Sequence, residues 1–176
     1  MSATRRTFLL KGFSAGTTAW LAANWPTQVA AAEAAQSMGN FTFFTPAQAM
    51  EIDAMAAQIY PSDSTPGAKE AQVIYFIDLA LVTFAQDKQE AYTKGLAELG
   101  TKTGGKRFGS LPSAEQIALL TSIEKTPFFK TVRDHTIMGM FAAPQHGGNY
   151  KKIGWTQIGF DDSLNFRAPF GAYDKA

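Results

Sequence analysis

The sequence predicts an all-α protein, a small bundle of about five helices with a long irregular, glycine- and aromatic-rich C-terminal tail. Three observations predict it. Apolar residues recur at helical spacing in successive stretches, all but the central one opened by a Thr, Ser or Asp start signal. No stretch alternates apolar and polar residues as a half-buried strand does. The connections are short and rich in Pro, Gly and Ser, which suits an up-and-down arrangement of neighbours. The 176 residues are 45% apolar and 18% charged, enough for a single core and too apolar for disorder.

Ahead of the bundle, residues 1–34 read as a twin-arginine signal peptide, leaving 35–176 as one helical domain. Arg5 and Arg6 are followed by Phe8, Leu9 and Lys11. Residues 13–25 are mildly apolar, Pro26 breaks them, and "VAAAEA" at 29–34 offers cleavage after Ala32 or Ala34. The apolar part falls short of the roughly 20 residues that span a bilayer. The arginine pair favours the twin-arginine translocase, which moves folded cargo, and so a periplasmic destination. The alternatives are an uncleaved amphipathic N-terminus in the cytoplasm and a retained anchor or partner-binding arm.

The first helix is predicted over "TPAQAMEIDAMAAQIYP", 45–61. Thr45 caps it, Pro46 suits its first turn and Gln48 completes a capping box. Ile52, Met55, Ala56 and Ile59 give one buried stripe, and Pro61 ends it. A turn-rich loop, 61–68, leads to 69–85, where Val73, Ile74, Phe76, Ile77, Ala80, Leu81 and Phe84 are apolar on more than one face. That pattern predicts the central helix. Asp87 to Glu90 reads as a second capping box, for a helix that Gly100 stops near Leu99. Ser113 to Gln116 reads as a third, for a helix ending near Glu124. Thr126 and Pro127 open the last helix, with Phe128, Val132, His135, Met138 or Gly139, and Ala142 inward and Pro144 as the stop. Residues 145–176 show no period.

Charge and residue types exclude much chemistry. Cleavage after Ala32 removes three of the 16 basic residues and none of the 15 acidic ones, so the remainder is mildly acidic and offers no nucleic-acid footprint. There is no cysteine, hence no disulfide, thiolate metal site, C-x-x-C-H haem or thiol nucleophile. "GTKTGGK" at 100–106 matches G-x-x-x-x-G-K, but Arg107 stands where the hydroxyl should be and a helix precedes it, so it reads as a solvated loop. No G-x-G-x-x-G and no G-x-S-x-G occurs. Asp63 and Asp78 read as capping or solvated acids. His135 and His146 are the two histidines, too few ligands for zinc. His135 reads as a structural or interface histidine.

The stretch "HTIMGMFAAPQHGGNYKKIGWTQIGF", 135–160, sets Gly147, Gly148, Gly154 and Gly159 among Phe141, Trp155 and Phe160. Dense glycine suggests special turns or close approach of two surfaces, and the aromatics suggest contact anchors. Two readings stand: a tail folded back on its own bundle, or one shared between its core and a partner. The residues that carry the second are His135, Thr136, Gly139, Gly147, Gly148, Asn149, Gly154, Trp155 and Phe160.

"FTPAQAMEIDAMAAQIYP" (44–61), "PGAKEAQVIYFIDLAL" (66–81), "FFKTVRDHTIMGMF" (128–141) and "GGNYKKIGWTQIGF" (147–160) together resemble the gluconate 2-dehydrogenase subunit 3 family, the small subunits of flavin-dependent sugar dehydrogenase complexes. The specific part is His-Thr-x-x-Gly followed by Gly-Gly-Asn and Gly-Trp, with the twin-arginine leader. The chain departs from the family pattern at Ala143, where an Asp precedes the proline, and at His146, where an aromatic precedes the two glycines.

The resemblance implies a non-catalytic subunit, with no catalytic, cofactor or metal residues of its own. Its partner would be an FAD-containing catalytic subunit of the glucose-methanol-choline type. A multihaem cytochrome c, with haem c, would pass electrons to the respiratory chain. The small subunit would support the flavoprotein's maturation and carry its export signal, since FAD is loaded in the cytoplasm. The alternative is a stand-alone periplasmic enzyme or ligand-binding protein using His135 and His146, with Asp134 or Asp161.

Overall fold

The structure is a computed structural model that describes residues 40–162. The leader residues Arg5, Arg6, Phe8, Leu9 and Lys11, and the tail beyond Asp162, lie outside the described residues. Six α-helices are present among the described residues, with no strand: α1 Pro46–Ile59, α2 Val73–Val82, α3 Gln89–Lys102, α4 Ser113–Ile123, α5 Pro127–Phe141 and α6 Ile153–Gln157. The all-α class expected from periodicity is the class found.

Helix α2 is the hub. Its sequence "VIYFIDLALV" is apolar nearly all round, and eight of its ten residues are buried. It packs against α5 and α1; α3 closes on α5, and α4 on α1. Ile52, Met55, Ile77, Leu81, Tyr92, Phe108, Val132 and Met140 are wholly buried at these seams. Burying a Val, Leu, Ile, Phe or Met side chain stabilises by about 1.5–3 kcal/mol, so the seams dominate the fold.

The start of α1 follows its sequence. Thr45 accepts from the Gln48 N–H, and the Gln48 side chain accepts from the Thr45 N–H at 2.9 Å. Thr126 likewise accepts from the Phe129 N–H at the head of α5. The other two expected capping boxes do not form. Asp87 lies in a 3-10 turn over Gln86–Lys88 and pairs with Lys88 at 2.6 Å. Ser113 is already inside α4, whose cap is Pro112. Gln116 instead ties helices together: its Oε1 accepts from Gln58 Nε2 on α1 at 2.8 Å, and its Nε2 donates to the Leu111 carbonyl.

Gly100 does not stop α3. The helix runs to Lys102 and turns at Gly104, whose φ is +62°. The Gly105 N–H then reaches the Gly100 carbonyl and the Gly104 N–H the Thr101 carbonyl, the paired bonds of a Schellman ending. The "GTKTGGK" stretch is therefore a helix terminus followed by an exposed turn. Two further expectations fail. The central helix begins at Val73 rather than 69, and Phe84 is 61% exposed rather than inward.

Asp78 is neither a cap of its own helix nor solvated. It is buried on α2, and its carboxylate accepts from the backbone N–H groups of Thr42, Phe43 and Phe44 at 2.7, 3.0 and 2.9 Å. One carboxylate thus fastens the lead-in segment to the hub and brings Phe44 against Tyr92. Asp63 is solvated, with its carboxylate accepting from the Thr65 N–H and hydroxyl; these bonds hold it below the ordinary carboxylate range.

Candidate functional site

The expected contact residues converge at the inner face of α5 and the segment that follows it. His135 and Thr136, with Gly139 one turn on, lie on that face beside Val132 and Met140. His135 Nδ1 shares a 3.1 Å hydrogen bond with the buried Tyr92 hydroxyl, and the two rings stack with centroids 5.8 Å apart. Burial lowers the pKa of His135, outweighing the nearby Asp134 and Asp87 charges; it raises that of Tyr92 well above its ordinary value. A neutral imidazole with a protonated phenol is the state this arrangement holds. The Thr136 hydroxyl donates to the Val132 carbonyl at 2.7 Å.

After α5 the chain turns through a 3-10 segment, Pro144–His146, and doubles back. Asn149 makes the fold-back possible. It is wholly buried and held in the left-handed region at φ 48°, which Asn tolerates better than most residues. Its Nδ2 donates to the Ala142 carbonyl at 2.9 Å, and its Oδ1 accepts from the Gly154 N–H at 2.8 Å. The Tyr150 N–H reaches the Ala71 carbonyl ahead of α2. Trp155 Nε1 donates to the Phe141 carbonyl at 2.7 Å, satisfying one of the orphan acceptors at the end of α5.

Glycine is needed here for close approach. A Cβ on Gly154 would stand 1.9 Å from the Met140 carbonyl oxygen, and one on Gly148 would stand 2.2 Å from that of Gly139. Backbone faces backbone at both points, so no side chain could yield. Further along, the Tyr60 hydroxyl donates to Gln157 Oε1 at 2.7 Å, and Gln157 Nε2 to the Pro66 carbonyl at 2.5 Å.

His135, Thr136, Gly139, Gly147, Gly148, Asn149 and Gly154 are thus buried within the chain, Trp155 is half-buried, and Phe160 is 53% exposed. The same inner/outer division separates His135 from Asp134, which pairs with Arg133 on the outer side of α5 at 2.8 Å. Sequence reasoning missed the groups that receive these side chains, Tyr92 and the Phe141 carbonyl. Tyr92 lies on the same helical face as Gly95 and Leu99, the one signal that could have placed it inward.

Residues 46–162 match the family described as gluconate 2-dehydrogenase subunit 3. The chain belongs to that family. Membership implies a place in a multi-subunit gluconate dehydrogenase complex. No curated protein and no solved structure matches it. The matched span covers every helix among the described residues of this gluconate 2-dehydrogenase subunit 3 domain, including the fold-back. Among the described residues no helix is long and apolar enough to cross a membrane, and no group of three or more His, Cys, Asp or Glu could hold a metal ion.

The outer side of the same region exposes several apolar side chains among charged ones. Ile137 and Met138 project from α5 at 45% exposure each, and Ile158 follows α6 at 60%. Phe160 packs edge-on to Trp155 with centroids 5.0 Å apart.

Proposed function

We propose that this chain is the non-catalytic small subunit of a flavin-dependent dehydrogenase complex that oxidises a sugar, sugar acid or glycoside. It binds and stabilises an FAD-containing catalytic subunit of the glucose-methanol-choline type. It also carries the twin-arginine signal on which that partner leaves the cytoplasm already folded, for the periplasmic side of the membrane. A multihaem cytochrome c takes the electrons onward. The single observation that carries this reading is the family match over 46–162. Two others support it: the Arg5–Arg6 leader, and the exposed apolar side chains around the fold-back.

In this reading the partner rests on Trp155 and Phe160, with Ile158 beside them. His135, Thr136, Gly139, Gly147, Gly148, Asn149 and Gly154 act from beneath, holding the backbone that presents those side chains. Exposed apolar residues at the rim of a well-packed element are the kind of surface an obligate partner covers.

Co-expression tests it. The flavoprotein is produced with and without this chain, and periplasmic dehydrogenase activity and FAD content are measured. Activity and bound FAD are expected only with the chain present, and Arg5→Lys with Arg6→Lys should leave both subunits in the cytoplasm. Equal periplasmic activity without the chain would refute the proposal.

A further inference from the structure

A second feature lies across the molecule, along α1. Two adjoining cavities of about 410 and 270 Å³ share Met50, Asp53 and Lys69. The larger runs towards Arg107 and Gln116; the smaller ends against Gln72, Phe41 and Tyr75. Two acceptors in this cleft lack a partner among the described residues: the half-buried Asp53 carboxylate and the buried amide oxygen of Gln72. The half-buried Asp53 carboxylate has no hydrogen bond and no ion pair among the described residues, and burial raises its pKa above the ordinary carboxylate value. Lys69 lowers it from a distance, without forming an ion pair. Gln72 Oε1 is fully buried with no hydrogen-bond partner. Its residue is also held at φ 54°, a left-handed conformation that Gln adopts rarely.

A buried acceptor left unpaired, as Gln72 Oε1 is, costs about 1–3 kcal/mol. An anionic ligand would meet Asp53 with repulsion, and an apolar one would leave both oxygens orphaned. A cation rich in N–H donors satisfies both. The cleft also offers it a face: the Tyr75 ring lies near enough for Asp53 to raise its phenol pKa, after burial, and stacks on Phe41 at 5.1 Å and 13°. Guanidinium groups lie flat on such rings while their edges donate to carboxylate and amide oxygens.

We propose that the cleft between α1 and the start of α2 is a receptor for an alkyl-guanidinium or alkyl-ammonium group, with Asp53 as its counter-ion, Gln72 Oε1 as a second acceptor and the Tyr75 ring as the surface on which it lies. The cation belongs either to a free small molecule or to a basic side chain of another subunit. Lys69, which lines both cavities, and Arg107, which lines the larger, are the competitors within the chain.

The probe is agmatine, titrated into the full-length chain and followed by calorimetry and by the ring signals of Tyr75. One saturable site is expected. Asp53→Asn should weaken binding about tenfold or more while leaving the melting temperature unchanged or higher, because it removes a desolvated charge. Lys69→Met should strengthen binding. Asp63→Asn, on the exposed loop, should leave it alone. Absence of saturable binding, equal binding by Asp53→Asn, or weaker binding by Lys69→Met would overturn the assignment. Repeating the titration on the complex separates the sources. Retained binding assigns the site to a free cation, and exclusion assigns it to a partner's side chain. The titration of the chain alone needs no flavoprotein, so its outcome is separate from that of the co-expression test.

Discussion

The fold-back after α5 and the cleft along α1 differ in how they treat polar groups. In the fold-back, the Asn149 amide, the Gly154 N–H, the Trp155 indole and the Phe141 carbonyl are all partnered inside the chain. In the cleft, the Asp53 carboxylate and Gln72 Oε1 are not. The region that looks most distinctive in the sequence is therefore a brace. The region that holds unmet hydrogen-bonding capacity is written in ordinary residues. The brace sets what an external partner meets, by positioning Trp155 and Phe160, whereas the cleft is open to a ligand directly.

The sharpest way to break the comparison is to give the brace a side chain it cannot hold. Gly154→Ala forces a Cβ onto the Met140 carbonyl and should cost about 3 kcal/mol or more, read by chemical denaturation. A near-neutral result would mean that the fold-back is loosely held. Asp78→Ala comes next. It strips three backbone N–H groups of one acceptor and should cost about 2–3 kcal/mol, with loss of the Phe44–Tyr92 contact visible in the aromatic signals. Asn149→Ala removes both bonds of the buried amide and should cost about 2 kcal/mol by the same measurement.

The pH dependence tests the buried pair. His135 has a lowered pKa in the fold, caused first by burial, then adjusted by Asp134, Lys88 and Asp87. As pH falls below about 6.5, the unfolded chain takes up a proton at His135 that the folded chain refuses. Stability should therefore decline between that value and the depressed folded one, and the penalty is complete below it. His135→Gln should flatten this part of the profile, and an unchanged slope would place the titration elsewhere. The smallest effect on stability belongs to Phe160→Ala, within about 0.5 kcal/mol, because the side chain is half in solvent. Its effect on co-purification with the flavoprotein should nevertheless exceed that of any exposed charge on α3.

The helices were legible where local rules act alone. Thr45, Pro46 and Gln48 specify the start of α1, and Thr126 and Pro127 that of α5, through bonds within a single turn. Where tertiary contacts compete, the local rules lose. Gln116 sits at a capping-box position yet bridges to Gln58, because a helix–helix amide pair is available to it. Gly100 yields to Gly104, because the left-handed residue of the Schellman ending must stand one place beyond the last helical carbonyls. The fold-back has no period because each of its residues is set by a neighbour distant in sequence: Tyr150 by Ala71, Gln157 by Pro66. Nothing in the sequence singles out Asp53, and only its place in a cavity shared with Gln72 and Tyr75 shows a carboxylate that lacks a donor.

The most direct test of the central claim compares the purified chain with the complex it co-purifies. Flavin absorbance and sugar-dependent reduction of an electron-accepting dye are measured on both. The account predicts bound flavin and turnover in the complex and neither in the chain alone. Flavin held by the isolated chain, or dye reduction by it unaided, would contradict the account.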